Sequence, residues 1–463
     1  VATVQQTISP VDGRIYVERP VAGAAEVEHA LARASAAQRD WRALDVAQRC
    51  ALLSRAVDAF VAERAAIAGE ITWQMGRPIA QSPGEVRGFE ERARYMLAIA
   101  PAALAPLRPE PMPGFERWIE RVALGVVAVV APWNYPYLTA VNAVIPALAA
   151  GNAVVLKHSH QTPLCAERFA AAFEHAGLPP GVFQYLHLPQ EDTARLIADP
   201  RIAFVCFTGS VAGGHAVQRA LADGFVSAGL ELGGKDPAYI RGDADLAHAI
   251  DSVADGVFFN SGQSCCGIER IYAHASVYEA VVEGVVAFAR RLRLGDPTAS
   301  DTTLGPMVRT AAAQSVRVQV REAVQQGARA LLRSDEFAAA ADGTPYLAPQ
   351  VLVDVDHRMR VMTEETFGPV VGIMRVGSDD EAVALMNDSR YGLTAAIYSR
   401  DPGAARRIGS RLDTGTVFLN RCDHLDPALA WTGVKDSGRG CTLSSVGYES
   451  LTRPRSFHFR LPT

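Results

Sequence analysis

The chain has 463 residues, 49% of them hydrophobic, which is enough for two or three domains with large buried cores. Its net charge of −5, with the two signs interspersed, leaves no basic footprint for nucleic acid. The longest apolar stretch, Ala140 to Leu156, is broken by Asn142, Pro146, Gly151 and Asn152 and excludes a membrane span there.

Residues 24–38 and 46–69 carry apolar positions at helical spacing (Val27, Ala30, Leu31, Ala34; Leu52, Leu53, Val57, Phe60) and predict two amphipathic helices. From Val122 strands and helices alternate. Val122–Val130 is a continuous apolar run, as in a strand covered on both faces. A helix over 137–149, a strand at Ala153–Lys157 and a helix over 163–176 follow. Then come a strand at Val182–His187, a helix over 191–198, a strand at Ala203–Phe207, a helix over 212–222 and a strand over 227–231. Short connections between such units predict a parallel sheet with helices on both faces. A second series has helices near 243–260 and 277–292 around a strand at Ile271–His274. Strands at Val371–Arg375, Ala395–Tyr398 and Thr416–Asn420 and helices over 380–388 and 402–410 complete it. Two α/β lobes are expected, joined near Glu231–Gly234, with glycine-rich segments at strand ends lining the cleft.

Several segments carry chemistry. Leu230-Glu231-Leu232-Gly233-Gly234-Lys235 offers a carboxylate beside glycines, and Gly262-Gln263-Ser264-Cys265-Cys266 offers a thiol in a small-residue turn. A nucleophilic thiol with a water-activating base can oxidise an aldehyde through a covalent thioester, and the pair alone fits other acyl transfers as well. Phe207-Thr208-Gly209-Ser210 ends a strand and opens a helix, a setting for a pyrophosphate or for a plain turn. Lys157 at a strand end can reach a ribose or a phosphate, or stand exposed on a loop. Asn134, inside Pro132-Trp133-Asn134-Tyr135-Pro136, can steady an oxyanion or make an Asx-type turn. Glu364-Glu365-Thr366-Phe367-Gly368-Pro369 can grip a ribose and back a nicotinamide ring, or form a charged turn. His158 and His160 are too few for a metal and read as polar loop residues, so no metal is expected. The seven cysteines read as reduced cytoplasmic thiols, with Cys206 inert in a strand.

In this order the segments resemble the aldehyde dehydrogenase superfamily along essentially the whole chain, from Ser9-Pro10-Val11-Asp12-Gly13 to Gly433-Val434-Lys435-Asp436-Ser437-Gly438, and the interval from Glu231 to Cys265 matches as well. The resemblance implies an α/β fold with three parts. These are a Rossmann-like cofactor domain (1–111 and 125–231), a catalytic α/β domain (232–447) and a small oligomerisation element (112–124 and 448–463). It implies Cys265 as nucleophile, Glu231 as deacylating base, and Asn134 with the Cys265 N–H as oxyanion hole. Cys266 would be a packing neighbour or spare thiol. NAD or NADP would meet Trp133, Lys157, His160, Gly209, Ser210, Gly233, Glu365 and Phe367, with Lys157 counted also among the catalytic residues. His160 stands where NAD-preferring members often carry a glutamate, which admits NADP. Tyr135, Thr139, Asn142, Ser264, Leu425 and Trp431 would line the substrate tunnel. With no arginine among them, and Arg421 the one candidate nearby, an uncharged medium-sized aliphatic or aromatic aldehyde is expected. Succinate semialdehyde, a CoA-acylating reaction and a non-catalytic relative are the alternatives. The alternating tail Arg453–Arg460 is expected to pair subunits into a homodimer or homotetramer.

Overall fold

A computed structural model describes residues 3–462. Val1, Ala2 and Thr463, the outer ends of the expected segments 1–111 and 448–463, lie outside the described residues.

Two sheets organise the chain. In the first, six strands run in the order Gly438–Arg439, Ser227–Glu231, Ile202–Thr208, Val126–Val130, Ala153–Lys157, Phe183–Tyr185. All are parallel except Gly438–Arg439, which returns from late in the chain to pair antiparallel with Leu230 and Glu231. In the second, seven strands run in the order Arg329–Ala330, Gln350–Val353, Val370–Val376, Ile268–His274, Asp236–Ile240, Thr394–Tyr398, Thr416–Leu419, parallel but for the first pair.

The apolar run predicted as one strand over Val122–Val130 is two strands, Phe115–Ala123 and Val126–Val130. The cause is buried Asn152, whose Oδ1 accepts from the Leu124 and Gly125 amides at 2.7 and 3.0 Å. Those amides are thereby lost to any ladder. Gly125 supplies the positive φ of 142° that the break requires. The predicted helix over 46–69 is likewise two, Val46–Ala62 and Arg64–Met75, because Glu63 (φ −88°, ψ 12°) leaves helical geometry.

Along Val126–Val130 successive side chains enter opposite cores. Val127 and Val129 pack with the helical layer that holds Phe60, Phe89, Tyr137 and Phe169, whereas Val126, Ala128 and Val130 pack with Leu31 and Val205. Burial on both faces is what a continuous valine run provides in a parallel strand. Phe60 and Phe89 have ring centroids 4.0 Å apart, and truncating either to alanine costs about 3–5 kcal/mol. Outside both sheets, Phe115–Ala123 and Thr452–Arg460 form an antiparallel ribbon over their whole lengths, with Trp118 stacked on Phe457 at 4.3 Å.

Candidate active site

Strand ends of the first sheet and a kinked turn of the second lobe meet in the cleft. The turn follows helix Leu246–Phe258: Asn260, Ser261 and Gly262 all have positive φ (51°, 56° and 69°) and swing Gln263–Cys266 back across the helix end. Gly262 admits no side chain, since a Cβ would lie 2.1 Å from the Gly368 carbonyl oxygen. The Asn134 amide is buried and its Nδ2 donates to the Gln263 carbonyl at 3.2 Å, which fixes it beside the Cys265 backbone. Asn260 Nδ2 donates to the carbonyls of Asn134 and Gln263 at 3.3 and 3.2 Å, tying the two loops together.

A buried ion pair that the sequence reading missed holds this junction. Arg77 pairs with Glu85 and donates to the Asn134 carbonyl and to Asn260 Oδ1. Its guanidinium also lies 4.6 Å from the Tyr135 ring centroid. Glu85 Oε1 accepts from the Tyr137 and Leu138 amides, both at 2.9 Å, and so caps helix Pro136–Ala149. The pairing partner is eight positions away and carries no motif, so only the fold reveals it.

Two cavities open on either side of Cys265. One, of about 330 Å³, is lined by all six expected tunnel residues: Tyr135, Thr139, Asn142, Ser264, Leu425 and Trp431. The other, of about 290 Å³, is lined by Trp133, Gly209, Ser210, Gly233, Glu365 and Phe367 among others. Cys265, Glu231 and Thr139 stand on both walls. Lys157 and His160, at and beyond the end of the neighbouring strand, do not line that second cavity.

Glu231 is held by two hydroxyls: Thr442 Oγ1 donates to Oε1 at 2.6 Å and Thr208 Oγ1 to Oε2 at 3.1 Å. Burial nevertheless lifts its pKa above the ordinary carboxylate range, with the two hydrogen bonds and Arg92 opposing. A carboxylate tuned this way is a better base near neutral pH. Cys266 is more than a packing neighbour: its Sγ donates to Asp423 Oδ1 at 2.9 Å, and Ser264 Oγ donates to the same oxygen at 2.9 Å. Burial raises the pKa of Asp423.

In the second cavity Ser210 caps helix Val211–Ala220, its Oγ accepting from the Gly213 amide at 3.2 Å. This helix start presents N–H groups suited to a pyrophosphate. Glu365 Oε1 accepts from the Gly234 amide at 3.0 Å, and burial, then the charge of Glu269, pushes its pKa up to about 8. Gly233 must lack a side chain, because a Cβ would sit 2.3 Å from Glu365 Oε1. A buried carboxylate with one bonded oxygen and a glycine-floored approach fits a ribose diol. Phe367, at φ +53°, meets Trp133 edge-on at 5.7 Å. Its loop is held by Glu269, unnoticed in the sequence, which accepts from the Thr366 and Phe367 amides and pairs with buried Lys235.

One expectation is corrected. The tunnel does contain an arginine: Arg92, from helix Pro83–Ala103, lines it, while the exposed Arg421 does not. Arg92 Nη1 is committed to the Leu138 carbonyl at 2.7 Å and to Asn142 Oδ1 at 3.3 Å. His158, in the loop that follows strand Ala153–Lys157, is buried. Its Nδ1 accepts from the Ser159 amide and the Thr162 hydroxyl, its Nε2 donates to the Pro136 carbonyl, and desolvation lowers its pKa to about 4. His160, standing where NAD-preferring members often carry a glutamate, is biased toward the neutral form by desolvation and by the charges of Lys157 and Arg309. Arg309, also missed, lines the second cavity, and burial lowers the Lys157 pKa to about 8. Among the described residues no three His, Cys, Asp or Glu side chains converge as a metal site, and no helix is long and apolar enough to cross a membrane.

The description of the aldehyde dehydrogenase family matches residues 2–457. Succinate semialdehyde dehydrogenase [NAD(P)+] Sad of Escherichia coli is 35% identical, covering 96% of both chains. The 3,6-anhydro-alpha-L-galactose dehydrogenase of Streptomyces coelicolor is 34% identical over 98% of this chain and 92% of its own. The solved structure of succinic semialdehyde dehydrogenase from Streptococcus pyogenes with NADP+ superposes with a TM-score of 0.94 at 27% identity, covering 98% of this chain and all (100%) of that one. The chain therefore belongs to the aldehyde dehydrogenase family of NAD(P)-dependent oxidoreductases.

Proposed function

We propose that the protein oxidises an uncharged, medium-sized aldehyde to its carboxylic acid, with Cys265 as nucleophile and Glu231 as hydrolytic base. The observation that carries this reading is the common wall: thiol and carboxylate both face the tunnel and the cofactor-side cavity. The Cys265 thiolate adds to the carbonyl carbon, and the oxygen that gains charge is met by Asn134 Nδ2 and the Cys265 N–H. NAD or NADP, when bound, supplies the hydride acceptor. Ser210, Gly209, Gly233, Glu365, Phe367 and Trp133 would hold it, with Lys157 and Arg309 toward the adenosine end. Loss of hydride leaves a thioester on Cys265. Glu231 then takes a proton from water, the water oxygen replaces sulfur at the acyl carbon, and the acid and free thiol are released.

The tunnel's charges support an aldehyde without a carboxylate. Glu91, Asp255 and Asp423 lie on its wall, against one arginine whose Nη1 is already bonded. A second reading, succinate semialdehyde, is favoured by Arg92 itself and by the substrate in the names of two relatives. The sugar aldehyde in the name of a third, at nearly the same identity, shows that such likeness does not fix the substrate. Comparing kcat/KM for butanal, benzaldehyde and succinate semialdehyde, with each cofactor and without CoA, tests the reading. Faster turnover of the semialdehyde would transfer it to the second substrate, and a requirement for CoA would overturn the role of Glu231.

The ribbon supports a homodimer, or a tetramer of two dimers. It is two strands wide, the outer edge of Thr452–Arg460 pairs with no other strand among the described residues, and Phe459 is 49% exposed beside the Trp118–Phe457 stack. Seven free thiols suit a reducing, cytoplasmic setting. Sedimentation of the wild type and of Phe459→Glu tests the assembly.

A further inference from the structure

At the base of the ribbon, away from Cys265, lies a cavity of about 540 Å³. Its walls carry Arg39, Arg42, Arg49, Arg121 and Arg455, against a single carboxylate, Glu120. The arginines come from separate parts of the chain. Arg39 and Arg42 close helix Ala24–Trp41, Arg49 lies in helix Val46–Ala62, and Arg121 and Arg455 lie on the two ribbon strands.

Protein groups satisfy few of these charges. Glu120 is already engaged, accepting from Arg455 Nη2 at 2.7 Å and from Trp118 Nε1 at 3.2 Å. Among the described residues Arg121 reaches only Glu449, at 3.6 Å. Among the described residues Arg39 and Arg42 form no ion pair. Arg49 is 6% exposed and donates to carbonyls through Nε, to Ala149 at 2.9 Å, and through Nη1, to Leu44 and Arg42. Its Nη2 has no acceptor among the described residues. Gathering guanidinium groups around one cavity is unfavourable unless an anion joins them.

We infer that this cavity binds a small polyanion carrying at least two phosphate groups. Planar guanidinium forks pair with phosphate oxygens two at a time, and five of them, carried by two helices and two ribbon strands, exceed what one phosphate can engage. Nucleic acid does not suit a concave site on a chain of net charge −5. The diphosphate could be free or part of a nucleotide, and the titrations below separate the two.

The test is calorimetric titration of the enzyme saturated with NADP+, so that the cofactor cleft is filled, with pyrophosphate, ATP and orthophosphate in turn. Wild type and Arg39→Gln/Arg42→Gln are compared at low salt. Pyrophosphate is expected to bind at one equivalent per chain, about tenfold or more tighter than orthophosphate, and the double variant to lose about tenfold or more. The variant should keep wild-type thermal stability and aldehyde turnover. ATP binding tighter than pyrophosphate identifies a nucleotide as the source, and equal binding identifies the diphosphate alone. Absence of pyrophosphate heat, or equal binding by the variant, overturns the inference. So does an oligomer that the double variant dissociates, since acidic groups of a second copy would then fill the cavity.

Discussion

Thr442→Val removes the shorter of the two hydrogen bonds that hold Glu231 ionised, the 2.6 Å contact to Oε1, and keeps side-chain shape. Thr208 remains at 3.1 Å on the other oxygen. A hydrogen bond to a charged group is worth about 1.5–3 kcal/mol, and 1.36 kcal/mol corresponds to about one pH unit of titration. Burial has already raised the carboxyl, and losing a donor raises it further. The base must be ionised to accept the water proton, so activity rises with pH through its titration. The variant's kcat–pH curve should therefore move upward by about one to two pH units, lowering kcat on the acid side by about tenfold or more and sparing it at high pH. Stopped-flow absorbance of reduced cofactor separates the steps: the first-turnover burst should be nearly unchanged while the steady-state rate acquires the shift. A superimposable pH profile would mean that Thr442 does not tune the base, and a lost burst would mean that Glu231 acts before hydrolysis.

Cys265→Ala should abolish oxidation while cofactor binding, followed by fluorescence, survives; Cys266→Ala should cost far less, removing the contacts to Asp423 and Ser264 but no reacting group. Reversed ranking would exchange their roles. Glu231→Gln should give a burst near one reduced cofactor per site and then turnover about 10²–10⁴-fold slower, and wild-type turnover would refute a basic role. With the cofactors compared at fixed aldehyde, His160→Glu should shift the kcat/KM ratio toward NAD by about tenfold, and Arg309→Ala should lower kcat/KM for NADP more than for NAD. An unchanged ratio in both variants would place adenosine recognition elsewhere.

Most elements of the two sheets were legible because continuous valine and isoleucine runs and helical spacing announce buried strands and amphipathic helices. Strand Ala153–Lys157 falls on the predicted residues. The misses share a physical origin. Strand Asp236–Ile240 begins with a buried Asp and a Pro, both unusual in a central strand, and is stabilised from afar by Thr394, whose amide and hydroxyl donate to Asp236. Helix Pro83–Ala103 is rich in charge and has a proline near its end, so it did not stand out, and Arg92 in the tunnel went unseen with it. The tunnel-lining residues were legible from family resemblance. Arg77, Glu85 and Glu269 were not, because their function is to be buried beside partners that sequence distance conceals.

Asn152 fully engages its amide. Besides the two amides it receives, its Nδ2 donates to the carbonyls of Ala147 at 3.1 Å and Leu451 at 2.9 Å. One side chain thus clamps both roots of the ribbon, just after Ala123 and just before Thr452, to the end of helix Pro136–Ala149. The ribbon is thereby fastened at both roots to the first lobe. The same anchor thus sits at the start of strand Val126–Val130, four residues beyond whose far end stands Asn134, so ribbon and oxyanion donor are built onto one strand.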